Sequence, residues 1–407
     1  MVTSTRRQTI TCLSSRRWCY LIAIVVICLL VLWLPGPPQT QNNISPDRPS
    51  PKYQVTNTPR FLYRSPFRSH PDIGYEEHLS NSLRSIENSV LAQNHGNIIA
   101  EDRIWQIALG EARKGPDSAA FEQVNMDWAY SLVTDNEAED FVSRRFSAIP
   151  DIATIYKSYP QNVLRADLLR YLLLWYYGGF YADVDVLPTR PIHACPELKG
   201  TNHDVSLVVG VEVDEPFATK KFMNDWHWTR SYGLIQYTMH APRRFSPLLR
   251  QTIVRAISHT RQHEIRHHSL FGGPKYDENT ILGVTGPDVF TDAILDTLSS
   301  SLPPTHPLIR ASLAADEGID DLVLNGNGNK EKRVTWAPFH RMKTPICVQS
   351  DEAISDAPMG GVCVLPISIW GNGQRHSEAG GFNDPSACVN HRFGRTWKKG
   401  WWEYIFG

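Results

Sequence analysis

The sequence predicts a mixed α/β domain, and three observations favour this class. Short β-rich runs, namely Val205–Val211, Val334–Ala337 and Val362–Ile369, alternate with stretches of helical periodicity. Within Val163–Pro188, a helical stretch, a Gly-Gly pair and a run with period two follow one another. The chain has 407 residues, of which 42% are hydrophobic, and it is therefore long enough to bury a full core.

Charge composition excludes one large class of function. Lys and Arg number 41 and Asp and Glu 42, which leaves a net charge of -1. A general nucleic-acid binder would show a basic excess, so no nucleic-acid partner is expected. The 12 Trp, 15 Tyr and 15 Phe residues suit an enzyme with a pocket or a carbohydrate binder.

The N-terminal region predicts a membrane anchor. Residues 18–34 are apolar and uncharged, and as a helix they span roughly 26 Å, enough for a thin bilayer. Four arginines and no acidic residue precede them, so residues 1–17 are expected in the cytosol and the rest of the chain in the lumen. A cleaved signal peptide is the alternative, although no small-x-small cleavage site follows.

The predicted order continues with a stem at 35–96 and a lumenal catalytic domain at 97–407. Pro35–Arg60 is rich in Pro, Ser, Asn and Gln, which indicates an extended segment. A helix is expected near Glu76–Ala92, and the domain is expected to open at Asn97, before a strand at Ile104–Ile107. Asn43 lies in the N-glycosylation sequon of the chain.

Four cysteines fall in the predicted lumenal domain, namely Cys195, Cys347, Cys363 and Cys388. In an oxidising compartment they can form two disulfides, and three connectivities remain open. Their spacing fits no zinc site.

The most informative stretch is Val163–Pro188. Apolar residues recur at i+4 in its first half, which predicts a helix with Asp167 and Arg170 as neighbours on one surface. Gly178 and Gly179 are expected to end this helix at a left-handed cap.

The second half of that stretch carries two carboxylates. If Phe180–Val186 is extended, Asp183 and Asp185 face one way. Two carboxylates at a strand end suit Mn²⁺ or Mg²⁺. Such a cation can bridge the phosphates of a nucleotide-sugar and neutralise the departing diphosphate. A solvated pair of loop carboxylates is the common alternative, but the helix-Gly-Gly-strand context favours the metal site.

This central motif resembles that of glycosyltransferase family 32, and more narrowly that of the fungal Golgi initiation-specific α-1,6-mannosyltransferases and their paralogues. Weaker blocks occur in the order found in that family: Ile104–Gln106, Thr134–Glu139, Val209–Glu212, Gln236–Ala241, Thr285–Pro287 with Thr291, and His391 with Trp397.

The resemblance implies a role for each matched residue. Asp183, Asp185 and Arg170 are the expected catalytic residues, and the first two form the metal and diphosphate pair with His391 as a late ligand. Donor-binding residues are expected at Asp167, Arg170, Tyr181, Asp183, Trp105 and Trp397, with Thr396 near the diphosphate. The chain departs from the family at Ala108, where an aromatic residue is usual, which leaves two possibilities open: base stacking on Trp105, or a weaker contact with the base.

The resemblance further implies a fold of the Rossmann-like GT-A type and a retaining, metal-dependent reaction. The expected enzyme is a single-pass type II Golgi membrane protein. It would transfer mannose from GDP-mannose, in α-1,6 linkage, to an N-linked glycan on a glycoprotein, with Mn²⁺ or Mg²⁺ as cofactor. A mannosyltransferase complex is a further expected partner. Two alternatives stay open: another donor or acceptor, such as a glycolipid, and a non-catalytic subunit of a mannan-synthesising complex.

A zinc protease is the remote alternative. His263–His267 reads H-E-x-x-H, which on a helix places two histidines on one face with Glu264 as general base. The flanking residues are polar and no third ligand follows at metzincin spacing, so a solvated helix end is favoured.

Overall fold

The computed structural model describes residues 56, 59, 65–110, 112–199, 204–267, 273–317, 332–353 and 359–392. Its main sheet has eight strands in the order β2-β1-β3-β7-β5-β9-β8, with β6 paired to β5, while β4 and β10 form a separate ribbon. The strands are β1 Arg103–Ile107, β2 Ala129–Val133, β3 Gly179–Ala182, β4 Val186–Pro188, β5 Leu207–Asp214, β6 Tyr232–Leu234, β7 Thr238–Ala241, β8 Ile346–Val348, β9 Val362–Leu365 and β10 Val389–His391.

Five strands of the main sheet run in one direction. β1 is parallel to β2 and to β3, and β5 is parallel to β9. β3 and β5 are both antiparallel to β7, so they are parallel to each other. The carboxyl ends of β1, β2, β3, β5 and β9 therefore lie at one edge of the sheet, called the carboxyl edge below. The predicted mixed α/β class is confirmed.

Helices cover the sheet. They are α1 Ile73–Gln93, α2 Pro116–Val124, α3 Asp135–Arg145, α4 Pro150–Ser158, α5 Asn162–Tyr177, α6 Pro196–Lys199, α7 Lys220–Asp225, α8 Pro247–Arg266, α9 Glu278–Val284, α10 Pro287–Ser301, α11 Pro307–Ala315 and α12 Ile367–Trp370. The larger core lies between one sheet face and α1, α5, α8 and α10. The smaller core lies on the other face, against α2, α12 and the β4–β10 ribbon.

The structured part of the chain begins earlier than the predicted residue 97. The helix expected near Glu76–Ala92 is α1, and its Leu79, Leu83 and Ile86 are buried in the larger core. The apolar residues recur at i+4 and i+7, which makes a stripe that α8 covers. The polar composition of this segment led to its prediction as part of the stem, whereas the apolar stripe packs it into the domain.

The structure also answers two predictions about a strand and the disulfides. The run Val334–Ala337 forms no strand, because Pro338 favours the short 3₁₀ helix Ala337–Phe339 instead. Of the three open connectivities, the structure has Cys195–Cys388 and Cys347–Cys363.

The predicted tail and anchor, residues 1–34, and Asn43 lie outside the described residues. Within the described part of the chain, none of the helices has the length and apolar character needed to cross a bilayer.

The helix-to-strand connection at the centre of the fold follows the predicted pattern. α5 ends at Gly178, whose φ of 69° is one that glycine adopts readily. A Cβ atom at Gly178 would lie 2.4 Å from the Cβ of Ala100 and 2.8 Å from the carbonyl oxygen of Ala241. Glycine is required there, and the tight turn directs β3 toward the carboxyl edge.

Candidate metal and donor site

The two carboxylates of the D-x-D triplet project from a turn and not from the extended strand that was predicted. β3 ends at Ala182, and the amide of Val186 donates to the carbonyl oxygen of Asp183 at 3.1 Å, which closes a turn. The amide of Asp183 donates to the carbonyl oxygen of Tyr237 at 2.9 Å, which fixes the start of the turn. The turn, and not strand alternation, brings Asp183 and Asp185 together.

His391 completes a cluster with these carboxylates. It lies on β10, where it is the register partner of Val186 at the start of β4. Ligand atoms of Asp183, Asp185 and His391 all lie within 4.8 Å of one another, and Nε2 of His391 is 3.1 Å from Oδ1 of Asp185. The ring of His391 stacks on Tyr237 with centroids 4.1 Å apart. A residue 206 positions beyond Asp185 is thus brought to the triplet.

Two further contacts fix the strand that carries His391. The disulfide Cys195–Cys388 joins the start of β10 to the region after β4, across 193 residues. Arg392 donates its amide to the carbonyl oxygen of Asp185 at 3.1 Å, and its guanidinium donates to both carboxylate oxygens of Asp117 at 2.5 and 2.9 Å. Asp117 could not be selected from the sequence, because it lies in a different segment, at the first turn of α2.

Arg170 bridges Asp167 and Asp183. Its Nη2 lies 3.1 Å from Oδ1 of Asp167 and 3.3 Å from Oδ1 of Asp183, so the predicted neighbour relation on α5 is present. The guanidinium also lies over the Tyr181 ring, 5.0 Å from its centroid. The Tyr181 hydroxyl donates to Asp183, and Nε2 of Gln106 donates to the carbonyl oxygen of Asp183 at 3.0 Å. Asp183 is therefore held from three directions.

The carboxylate of Asp167 is enclosed by protein groups. It is 1% exposed and accepts hydrogen bonds from Thr285 at 3.0 Å and Gln236 at 3.4 Å, in addition to its ion pair with Arg170. Asp167 was predicted to bind the donor, and in the structure its contacts are with protein groups that include Arg170. Burial raises the pKa of Asp167 to about 7, and the charge of Arg170 opposes this shift. Burial also raises the pKa of Asp183, again opposed by Arg170.

Glu212 is a fourth acidic residue of the site. The sequence singles it out only as the last residue of the family block Val209–Glu212. It lies on β5, on the same sheet face as Val208, and it is half-buried. Burial raises the pKa of Glu212 to about 7; the nearby His391 lowers this pKa, and the Asp288 and Asp183 carboxylates raise it further. An isolated Glu within the apolar run Leu207–Asp214 was the signal that could have identified it.

Trp105 was predicted as a candidate for base stacking, and the structure places its ring among protein groups. Its Nε1 donates to the carbonyl oxygen of Gly178 at 2.9 Å, its ring stacks on Tyr177 at 5.3 Å, and it is 8% exposed. Side chains alternate along β1, so Trp105 faces the larger core whereas Gln106 faces Asp183. Trp397 and Thr396, the other predicted donor contacts, lie outside the described residues.

The H-E-x-x-H segment makes protein contacts of its own. Nε2 of His263 lies 3.0 Å from the carbonyl oxygen of Lys275, and Glu264 accepts a hydrogen bond from Ser158 at 2.9 Å. In the described part of the chain, two groups have metal-ligand geometry, and neither includes this segment. The second of them contains Cys195 and Cys388, which the disulfide occupies.

The sheet topology has a switch point beside the cluster. From β1, the chain places β2 on one side and β3 on the other, so the connections diverge between β1 and β3. Ligands of open α/β sheets bind at such a point, at the carboxyl ends of the strands. Asp183 follows β3 at this edge, and Gln106 of β1 contacts it.

The donor set fits a divalent cation. Two carboxylates and one imidazole within 4.8 Å of one another form a mixed oxygen and nitrogen set that suits Mn²⁺, and less selectively Mg²⁺. The side chains of Asp183 and Asp185 are 26% and 27% exposed, so the cluster is open to a ligand.

Comparison with known proteins agrees with this geometry. Residues 118–203 match the family described as "Glycosyltransferase sugar-binding region containing DXD motif". That region includes α5, β3 and the Asp183–Asp185 turn, which are the elements that carry most of the site.

Curated relatives extend over more of the chain. The "Initiation-specific alpha-1,6-mannosyltransferase" of Candida albicans is 28% identical over 72% of this chain and 70% of its own length. The protein of the same name from Saccharomyces cerevisiae is 22% identical, over 67% and 71% respectively. "Inositol phosphoceramide mannosyltransferase 3" of Schizosaccharomyces pombe is 43% identical, but over only 15% of this chain and 16% of its own. The resemblance predicted from the central motif is confirmed.

Proposed function

We propose that this chain, which its DXD region and its relatives identify as a glycosyltransferase, transfers mannose from GDP-mannose to a mannose of an N-linked glycan. The proposed linkage is α-1,6, with retention of configuration, on a GT-A type fold. The observation that carries the proposal is the convergence of Asp183, Asp185 and His391 beside Arg170. Mannose as the sugar is supported by the relatives that align over about 70% of both chains.

Asp183, Asp185 and His391 would hold the cation. When bound, a divalent cation supplies positive charge that stabilises a departing diphosphate. Arg170 adds a permanent positive charge beside Asp183. Because Asp167 already orients the guanidinium, no reorganisation of this group is needed during the reaction. Tyr181 holds the carboxylate of Asp183 in place. The bond from the anomeric carbon to the diphosphate breaks, the acceptor oxygen bonds to that carbon on the same face, and its proton passes to the diphosphate.

The proposed location is the Golgi membrane, as a type II protein with its catalytic domain in the lumen. The apolar run at residues 18–34 and the preceding arginines support this topology. The two disulfides support an oxidising compartment. Association with a mannosyltransferase complex is part of the same proposal and rests on the resemblance alone.

A glycolipid acceptor is the second candidate function. The short but more identical match to an inositol phosphoceramide mannosyltransferase favours it. The longer alignments favour a glycan acceptor, since they include most of the domain and not one segment.

The test measures transfer by the purified chain with Mn²⁺, using GDP-mannose, UDP-glucose and UDP-galactose against an oligomannose glycan and inositol phosphoceramide. We expect transfer from GDP-mannose to the glycan, loss of transfer with EDTA, and recovery on addition of Mn²⁺. Asp183→Asn and Asp185→Asn should each lower kcat by roughly a hundredfold or more. Asp140→Asn, at a 51% exposed site on α3, is the control that should retain activity.

Each contrary result identifies a different error. A uridine donor would overturn the mannosyl assignment, and transfer only to inositol phosphoceramide would select the glycolipid function. Full activity of Asp185→Asn would contradict the metal-site mechanism. No turnover with any donor, by a folded protein, would indicate the non-catalytic subunit.

A further inference from the structure

We propose that the acceptor glycan lies along the carboxyl end of β5, with its reacting sugar beside Glu212 and the preceding sugar against Trp226 and Trp228. This acceptor site rests on the function proposed above, because it belongs to the same enzyme. Neither the family match nor the named relatives assign these residues a role.

The sheet places this end of β5 close to the metal cluster. Only β7 separates β3 from β5, and neighbouring strands lie about 4.8 Å apart, so the two strand ends are roughly 10 Å apart. Asp183 follows β3 and Glu212 is near the end of β5, at the same carboxyl edge. An acceptor sugar at Glu212 is therefore within reach of a donor at Asp183.

Glu212 has features of a residue that binds a ligand. β5 and β6 shift register between Val211 and Val213, so Glu212 is the extra residue of a β-bulge. Bulges commonly redirect a side chain beside an active site. Its carboxylate is half-buried and, within the described part of the chain, accepts no hydrogen bond. A half-buried carboxylate needs hydrogen-bond donors, and two hydroxyl groups of a sugar would supply them.

Trp226 and Trp228 form an aromatic surface near the carboxyl end of β5, to which the neighbouring His376 and Ser377 connect it. Their rings stack with centroids 5.6 Å apart and planes at 21°, and both residues remain half-exposed. His376 packs edge-on against both rings, at 5.0 and 4.5 Å. The hydroxyl of Thr229, next to Trp228, donates to Asp288 at 2.6 Å. Asp288 also pairs with Arg230 at 3.2 Å, so the segment that follows the two indoles is anchored to α10.

The surface is held in a fixed shape before any ligand binds. His227, between the two tryptophans, has a φ of 57°, a conformation that turns the chain sharply so that both indoles face the same way. Behind them, the amide of Ser377 donates to Glu215 at 2.5 Å, and the Ser377 hydroxyl accepts from the amide of Asp214 at 2.8 Å. These bonds tie the segment with His376 to the end of β5. A preformed surface loses little entropy on binding.

The combination of two stacked indoles and the Glu212 carboxylate suits a sugar as ligand. One side of a hexose ring exposes C–H groups that pack on an aromatic ring, while its hydroxyls need hydrogen-bond acceptors at the rim. Stacked indoles beside a carboxylate provide both. Under the proposed function the ligand is an α-linked mannose oligosaccharide.

The test measures binding of α-mannotriose to full-length protein by saturation-transfer NMR, in an Asp185→Asn background that removes turnover. We expect Trp228→Ala and Glu212→Gln each to weaken binding by about tenfold, and Trp228→Phe to retain most of it. The matched control is Trp128→Ala, a half-exposed tryptophan that precedes β2 at the opposite edge of the sheet. In the active background, Trp228→Ala should raise the KM for the acceptor while KM for GDP-mannose and donor hydrolysis stay unchanged.

The outcomes separate this inference from the proposed function. Mannotriose binding that is the same in Trp228→Ala and Trp128→Ala would overturn the acceptor site, even if transfer from GDP-mannose is observed. Tryptophan-dependent binding by a protein that transfers from no donor would support the site and refute the proposed function. Equal loss of acceptor binding and donor hydrolysis in Trp228→Ala would show a structural role and would also overturn the inference.

Discussion

Arg170 is the residue on which the electrostatics of the site depend. Its side chain is 6% exposed, and it compensates Asp167 and Asp183 at 3.1 and 3.3 Å. A buried carboxylate at Asp167 and a partly exposed one at Asp183 repel each other unless a cation lies between them. Sequence spacing predicted the Asp167 contact, because the two residues are three apart on a helix. The contact with Asp183 depends on the tertiary turn at Gly178, whose direction the sequence does not specify.

Replacing Arg170 tests this balance. Arg170→Met should cost about 3 to 5 kcal/mol of the free energy of unfolding, since it leaves Asp167 buried without its partner. Arg170→Lys should cost less, but should still lower kcat, because an ammonium cannot reproduce the contacts of a guanidinium with two carboxylates. Urea denaturation and transfer assays measure these effects. The control is Arg144→Met, at a 76% exposed position, which should change the free energy of unfolding by less than about 0.5 kcal/mol. If Arg144→Met lost as much stability as Arg170→Met, the proposed role of Arg170 in compensating Asp167 would be contradicted.

At the scale of elements, the β4–β10 ribbon carries His391, the third residue of the proposed metal site. β4 follows the Asp183–Asp185 turn, β10 ends at His391, and Cys195–Cys388 holds the two segments together. The sequence pointed to the three residues of this cluster through the D-x-D triplet and the family resemblance. The pairing of β10 with β4 was not, because strands of three residues carry no period that can be recognised.

Removing this disulfide should weaken the metal site. We expect Cys195→Ser with Cys388→Ser to lower stability by about 5 kcal/mol, given a closed loop of 193 residues, and to weaken Mn²⁺ binding by roughly tenfold. The control is Cys347→Ser with Cys363→Ser, which opens a loop of 16 residues, should cost about 3 kcal/mol, and should leave Mn²⁺ affinity unchanged. Calorimetric Mn²⁺ titration measures both, and equal affinity losses in the two pairs would refute a specific role for Cys195–Cys388.

Helix α1 makes a prediction about the domain boundary. Its Leu79, Leu83 and Ile86 are buried, Glu76 accepts a hydrogen bond from Ser258, and Glu87 pairs with Arg250 at 2.8 Å. A chain that starts at Asn97 should therefore lose roughly 5 kcal/mol or more from the apolar side chains alone. A chain that starts at Ser65 should unfold at the same urea concentration as the full protein. Equal midpoints for both truncated chains would show that α1 is dispensable.

For the whole molecule, acid stability depends on buried histidines. Burial lowers the pKa of His240 to about 4, and those of His259 and His376 to about 3. These side chains stay neutral in the folded state, while in the unfolded chain they take up a proton below about pH 6.5. Each one therefore destabilises the fold as pH falls from about 6.5 toward its folded-state pKa. Asp167 and Glu212, whose pKa values are raised, act in the opposite sense.

A single substitution isolates the histidine effect. At about pH 5 the contribution of His259 amounts to about 2 kcal/mol of lost stability. The free energy of unfolding of the unaltered protein, minus that of His259→Gln, should thus fall by about 2 kcal/mol between about pH 7.5 and about pH 5. Urea denaturation at the two pH values measures this difference. A difference that does not change with pH would contradict the neutral, buried state of His259.

The sequence predicted the features that arise from neighbours along the chain. α5, its glycine cap, β1, β5 and the α/β class all follow from local periodicity and composition. The features that it could not predict depend on distant segments: the inward face of Trp105, the disulfide pairing, and the placement of Glu212 beside His391. Each of these features depends on contacts between segments that are far apart in the sequence and that meet only in the folded sheet.

The position of His391 also determines when the site can form. During synthesis, the ribosome delivers Asp183 and Asp185 more than two hundred residues before the imidazole. A nascent chain that has emerged only through β9 lacks β10 and therefore presents the two carboxylates alone. Under the proposed function, the complete three-residue cation site therefore forms late in biosynthesis, after translation has passed His391 and Cys388 has been oxidised.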